Sequence, residues 1–299
     1  MNRREFISVI GGVAATWTLA ARAQQRQQGP PVLGYLALSS LDNPSGPFSA
    51  ALEALKQAGF EVGQALWVET RYANFQLDQI PALAAELVNL PCAVIVTSGG
   101  PGPALTLQSL TSTIPIVFAP LPDPVRSGLV ASLNRPGGNI TGVAAMTIEL
   151  DPKRIELLHE LTKATGSFGV MYNPTRPDTK IQIDSIQTAS RAVGRELVLA
   201  QASSPQQIDA AFALFNERSI VGLLVSADPY FTGRRSQIVA LAGRHGWPTM
   251  YQWREFVDIG GYASFGSNLT EQYRQVGFFV ARTQGREASR STGAAADQV

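Results

Sequence analysis

Cysteine is almost missing from this chain. Cys92 is the single one among 299 residues, so no intramolecular disulfide can form. It sits in the apolar run Pro91-Cys-Ala-Val-Ile-Val with no basic neighbour to stabilise a thiolate, and it reads as a small buried hydrophobe. Histidine is nearly as scarce: His159 and His245 are the only two, and no histidine pair has metal-ligand spacing. Neither sign of charge is in excess. Lys and Arg number 24 against 23 Asp and Glu, so nothing suggests the concentrated basic charge that a nucleic-acid partner needs, and none is expected. Motifs of cofactor and nucleophile chemistry are missing too. There is no G-x-S-x-G elbow. Gly99-Gly-Pro-Gly-Pro-Ala follows a strand pattern but lacks both the third glycine of a dinucleotide fingerprint and the Gly-Lys-Ser/Thr of a phosphate loop. We therefore expect no cofactor, no metal and no enzymatic activity.

What is present begins with an address. Arg3-Arg4 leads into Glu-Phe-Ile-Ser, a weakly apolar run follows from Val9 to Ala21, and Ala21-Arg22-Ala23 supplies a small-x-small cleavage pattern. Residues 1–23 read as an export signal, with the mature chain starting at Gln24 in the periplasm. The apolar run is too short to span the roughly 30 Å core of a bilayer as a helix. The arginine pair resembles a twin-arginine signal, and a Sec signal carrying two arginines is the other reading.

Beyond a polar spacer, apolar runs alternate with helical patterns. Strands are expected over 32–37, 66–72, 93–98 and 114–119, with helices over 48–58, 80–90 and 104–111 between them. The pattern then restarts: helices over 152–163, 178–193, 205–216 and 234–244 alternate with strands over 168–172, 196–200, 221–226 and 248–251. Runs that are apolar throughout, rather than alternating, belong to strands covered on both faces. Two such blocks predict an α/β protein of two doubly wound parallel-sheet lobes joined by a hinge, with lobes over 32–140 and 141–265. The glycine-bearing stretch 135–145 reads as the first crossing between them.

Ligands of such sheets lie at the C-terminal ends of the strands, where loops lead into helices. Those ends carry Ser39 and Ser40, Ser98 with Gly99 and Gly100, Asp123, Asn173 and Asp228. Backbone N–H groups at a helix start can hold a carboxylate, and an aspartate on the opposite lobe can hold an ammonium, so the set suits a zwitterion. Glu255 joins the candidates because it follows a strand facing the cleft. Trp253 and Tyr251 could stack on a ring, although core packing accounts for Trp253 slightly better. His159 reads as a solvated helix residue and His245 as a cation at a helix end.

Three stretches resemble a known family. They are Pro122-Asp-Pro-Val-Arg-Ser-Gly-Leu-Val-Ala-Ser-Leu-Asn-Arg-Pro-Gly-Gly-Asn-Ile-Thr-Gly142, Tyr251-Gln-Trp-Arg-Glu-Phe-Val-Asp-Ile-Gly-Gly261 and Tyr273-Arg-Gln-Val-Gly277. They are similar to signatures of ABC-transporter substrate-binding proteins of the tryptophan/tyrosine-transport type. The resemblance implies a periplasmic binding fold of type I. It also implies a small polar ligand such as an amino acid or aromatic compound, a permease partner in the inner membrane, and a monomer that closes about its hinge. The return helix over 266–281 would pack on the first lobe. Two departures bear on the ligand: Pro122 stands where the family usually has Gly, and Phe265-Gly266 where Tyr-Gly is usual. An exported enzyme on the same fold is the competing class, to be told apart by turnover of a small substrate. The effector lobes of a repressor are another, weakened by the export signal and the lack of DNA-binding helices.

Residues 282–299 do not continue the resemblance. They are polar and aperiodic. Writing Arg286 to Gly293 in codons and reading one base later gives Glu-Lys-Pro-Ala-Asp-Leu-Pro, similar to the run in relatives. We expect a frameshift near Arg282 and an aberrant tail, which could leave a second-lobe strand and closing helix missing and the chain a non-functional remnant.

Overall fold

A strand that is apolar at every position has no face to offer water, so it must lie in the middle of a covered sheet. The computed structural model, which describes residues 30–42, 46–176 and 178–284, builds two such sheets. The expected export segment and most of the tail expected to be aberrant lie outside the described residues. The first sheet contains β1 (Val32–Ala37), β2 (Trp67–Tyr72), β3 (Cys92–Ser98), β4 (Ile116–Leu121) and β5 (Ile140–Ala144). Its order is β2-β1-β3-β4-β5, all parallel. The second contains β6 (Phe168–Tyr172), β7 (Leu197–Gln201), β8 (Gly222–Val225), β9 (Thr249–Tyr251) and β10 (Ala263–Ser264). Its order is β10-β9-β8-β6-β7, again parallel. Read from the other edge, the second sheet repeats the topology of the first. The fold is therefore the expected pair of doubly wound α/β lobes.

Burial follows strand position. The central β1, β3, β4, β6 and β8 are buried nearly throughout, whereas the edge strand β5 is mostly half-buried and the edge strand β2 is half-buried to exposed. Polar Glu69 and Arg71 are tolerated in β2 because they lie at a sheet edge, where Arg71 pairs with Glu86 at 2.6 Å. Each fully buried Leu, such as Leu33 or Leu223, contributes about 1.5–3 kcal/mol.

Helices α1 (Phe48–Gln57), α2 (Ile80–Asn89) and α3 (Pro101–Leu110) serve the first lobe. The second carries α4 (Asp151–Leu161), α5 (Thr179–Ala192), α6 (Pro205–Glu217), α7 (Pro229–Gly233), α8 (Arg235–His245) and α9 (Arg254–Val257). Helix α10 (Leu269–Thr283) returns to the first lobe and lies on α1. Gly277 permits that approach, since a Cβ there would stand 2.3 Å from the Ala51 carbonyl oxygen. Start signals are local: Ser204 accepts from the Gln207 N–H at 3.2 Å and Asn268 from the Glu271 N–H at 2.9 Å.

Three readings change. The stretch taken as the first crossing carries β5, which completes the first sheet. It was hidden because Thr141 and Gly142 interrupt an edge strand, and Gly142 is needed where a Cβ would meet the Phe118 carbonyl oxygen at 2.3 Å. The chain crosses between lobes at residues 145–150 and returns at 265–268. His159 is half-buried rather than solvated, its Nδ1 accepting from Arg195 Nε at 3.1 Å. Cys92 is buried as expected, and burial pushes its thiol pKa up.

A single guanidinium spans both crossings. Arg154 is wholly buried. Its Nη1 donates to the Thr147 carbonyl and to Asp151, both at 2.6 Å, and its Nε donates to the Phe265 carbonyl at 2.7 Å. Gln182 completes Asp151 at 2.7 Å. Burial raises the Asp151 pKa, and Arg154 and Gln182 oppose that rise.

Candidate functional site

In each sheet the chain reverses its winding between two central strands, β1 and β3 in one lobe and β6 and β8 in the other. The loops leaving those strands diverge, and the space between them is where a ligand fits. Here the two switch points face each other across a cleft of about 460 Å3, part of it open to solvent. Gly99, Gly100, Pro120, Leu121 and Pro122 line it from the first lobe. Arg176, Asp228, Thr232, Gln252 and Trp253 line it from the second, with Thr147 of the crossing and Leu269 and Tyr273 of α10.

The first-lobe wall is made largely of backbone. Gly99 and Gly100 have φ of +103° and +100°, a conformation that side chains rarely adopt. A Cβ on Gly99 would also stand 2.3 Å from Leu38 Cβ. Both residues lead into α3, but Pro101 and Pro103 have no N–H, so Gly100 and Gly102 supply the donors at that helix start.

The second-lobe wall is charged. Asp228 is 2% exposed. Its Oδ1 caps α7 by accepting from the Tyr230 N–H at 2.7 Å, and it accepts from Asn173 Nδ2 at 3.2 Å. Its Oδ2 lies 3.6 Å from Arg176 Nη1, beyond hydrogen-bond length. Arg176 is held instead by Asp178 through two bonds of 2.8 and 2.5 Å. Burial raises the Asp228 pKa, opposed by Arg176 and Asn173. The cluster holds two carboxylates and one guanidinium, which leaves a partly desolvated negative charge for a cationic group. Beside it, Gln252 Nε2 donates to Thr232 Oγ1 at 2.9 Å.

The nine expected residues divide. Gly99, Gly100 and Asp228 line the cleft, and Asn173 stands behind Asp228 and orients it. Ser98 faces inward, its hydroxyl 2.9 Å from that of Tyr35. Ser39 is buried with its hydroxyl unpartnered, and Ser40 is half-buried; neither lines the cleft. Asp123 does not line it either: its Oδ1 accepts from the Arg126 N–H at 2.9 Å and its Oδ2 pairs with Arg126 Nε at 3.0 Å, closing its own turn. Glu255 sits half-buried in α9, away from the lining. Tyr251 stacks on Phe256 at 4.6 Å and belongs to the core, whereas Trp253 reaches the cleft.

Arg176, Gln252 and Tyr273 were missed. Arg176 and Gln252 follow β6 and β9, so the strand-end rule covers them, but nothing in the letters singles them out. Tyr273 comes from α10, which that rule does not reach. It is buried beside Gly46, where a Cβ would meet its ring at 2.3 Å, and burial pushes its pKa up to about 12, with Ser98 and Tyr35 opposing.

Two parallel α/β lobes thus face each other across a cleft lined by backbone on one side and by polar and charged side chains on the other. Residues 43–289 match the ABC transporter substrate binding proteins, and the chain belongs to that family, one of solute-binding proteins rather than enzymes. It is 26% identical over 243 residues to a tyrosine-binding protein of Clostridioides difficile, a match covering 80% of this chain and 66%, just under two thirds, of that relative. Among solved structures it is similar to a conserved domain protein of Vibrio cholerae (24% identity, 86% of each chain, TM-score 0.75). It is also similar to an ABC domain in complex with L-Trp from Streptococcus pneumonia (19% identity, 86% of this chain and 85% of the other, TM-score 0.73). These structures share its fold.

Proposed function

We propose that this chain is the exported receptor of an ABC importer and that it binds an amino acid, preferentially an aromatic one, between its lobes. The ammonium sits against Asp228, the carboxylate against the N–H groups of the Gly99–Gly102 loop, and the side chain between Trp253 and Tyr273. The buried Asp228 facing a glycine loop across the cleft carries the reading. Its partial pairing, 3.6 Å from Arg176, leaves it ready for a second cation. The names of the relatives, one binding tyrosine and one holding L-Trp, favour an aromatic side chain. The basic and apolar segment ending in Ala21-Arg22-Ala23 supports export to the periplasm, where a monomer would hand its ligand to a membrane permease.

Calorimetric titration with L-tryptophan, L-tyrosine, L-phenylalanine and L-leucine tests the reading, with tryptamine and indole-3-propionate as controls lacking one charged group each. An aromatic amino acid should bind, and at about 100 times its dissociation constant should add about 2.7 kcal/mol to stability. Each control should bind at least about tenfold more weakly. Equal binding of tryptamine and L-tryptophan would remove the carboxylate from the assignment, and binding of sugars alone would overturn it.

A further inference from the structure

Beside the cleft, three side chains from opposite lobes meet without taking part in the lining. Phe75 follows β2 of the first lobe. Tyr230 lies in α7 of the second, and Arg234 caps the end of that helix. The Phe75 and Tyr230 rings meet edge to face, 5.2 Å apart at 88°. The Arg234 guanidinium lies over both, 5.9 Å from the Phe75 centroid and 5.8 Å from that of Tyr230.

The backbone that delivers Phe75 is unusual. Asn74 and Phe75 have φ of +51° and +63°, and a bulky residue in the left-handed region marks a position held by its surroundings. What holds it is the β1 loop: the Asn74 N–H donates to the Ser39 carbonyl and the Phe75 N–H to the Leu38 carbonyl, at 3.2 and 2.6 Å. Leu38 also packs under Gly99 of the cleft wall. Phe75 is thus fixed to the loop that shapes the first-lobe wall. Tyr230, whose N–H donates to the capping Asp228 carboxylate, is fixed to the second-lobe wall.

We infer that Phe75, Tyr230 and Arg234 form an interlobe clasp that sets how long the lobes stay closed over a ligand. The clasp works against a cost of its own. Arg234 Nε is buried without a hydrogen-bond partner, and buried Tyr230 Oη has nothing better than the poorly aligned Arg234 guanidinium beside it; opening the lobes returns both to water. Attraction between the rings and the cation favours closure, while the two stranded polar atoms favour opening. The clasp is therefore poised, and a ligand can tip it. This rests on the reading that the cleft binds a ligand, but its geometry does not depend on which one.

Two measurements on the purified full chain test it. Small-angle scattering without ligand should show a larger radius of gyration for Phe75→Ala and Arg234→Gln than for the unmodified chain. Stopped-flow dissociation of L-tryptophan should be about tenfold faster in Phe75→Ala, with association within about twofold. Tyr230→Phe keeps the ring and deletes the stranded hydroxyl, so its dissociation should be about threefold slower. A role confined to local packing would not move two variants in opposite directions. If L-tryptophan does not bind, the amino-acid reading fails while scattering still decides the clasp. Unchanged scattering in Phe75→Ala and Arg234→Gln, both retaining cooperative unfolding, overturns it. So does faster dissociation in Tyr230→Phe.

Discussion

The two walls of the cleft are built from the same topology and by opposite means. The first lobe meets the cleft with glycines and prolines: Gly99 and Gly100 at φ near +100°, then Pro120 and Pro122. The second meets it with Arg176, Asp228, Thr232 and Gln252. A wall of backbone can offer N–H dipoles but no net charge, and rigid loops hold those dipoles in place. A wall of buried side chains can offer charge, provided each group is oriented by a neighbour, as Asn173 and the Tyr230 N–H orient Asp228. On the proposed reading, the difference puts the ligand's anion at the first lobe and its cation at the second.

The largest way to break the comparison is to remove the charge from the second wall. Asp228→Asn keeps an oxygen to cap α7, so the lobe should fold with stability within about 1 kcal/mol. Affinity for an aromatic amino acid should fall about a hundredfold, because the ammonium loses its charged partner in a desolvated place. Calorimetric titration reads the first effect and thermal unfolding the second. A loss under threefold would show that the second wall is not the cationic subsite.

The first wall is probed by shape. Gly99→Ala faces both a strained φ and Leu38 Cβ at 2.3 Å. It should cost about 1–3 kcal/mol of stability and about tenfold in affinity as the loop shifts. Gly100→Ala meets open space at a similar φ, so backbone strain is its only penalty, and it should be the milder variant in both measurements. Equal effects would mean that Leu38 yields, and that the first wall is softer than the comparison holds.

How far the letters reach follows from the same contrast. The buried strands of both lobes were legible because apolar runs have one interpretation in a parallel α/β sheet. β5 was not, since an edge strand need not be apolar and Gly142 serves a close approach invisible in one dimension. In the cleft, Gly99, Gly100 and Asp228 were legible from their place at strand ends. Arg176 was not, because an arginine between prolines reads as an exposed loop until Asp178 and Asp228 are seen around it. Tyr273 could not be found by that route at all: it arrives from a return helix whose packing depends on Gly277 and Gly46. Arg154 is a further case, a charge in a helix pattern that turns out to join both crossings.

Acidity should separate the walls by a smaller margin. Burial raises the Asp228 pKa, so between the ordinary carboxylate value near 4 and that raised value the folded chain binds more protons than the unfolded one. The contribution of Asp228 to ligand-free stability is therefore greater on the acid side and declines as the pH rises through this window. Asp151, raised by burial too, adds in the same direction. Ammonium binding needs the ionised carboxylate and runs the other way. Lowering the pH through that window should weaken affinity while these two groups favour the ligand-free fold. Parallel titrations and unfolding curves check it. Affinity that is flat across the window would mean that the ammonium does not depend on this carboxylate.

The smallest effect is expected at Asp123, which stands at a strand end of the first lobe as Asp228 does in the second. The letters make the two equivalent, but their geometry does not. Asp123 has a φ of +35°, and both its oxygens are engaged by Arg126 within its own turn. A carboxylate used locally has little to give a ligand. Asp123→Ala should leave affinity within about twofold and cost about 1 kcal/mol as the turn loses its cap. A tenfold loss of affinity with the fold intact would place a charged side chain in the first wall. The division between a wall that binds by backbone and one that binds by charge would then fail.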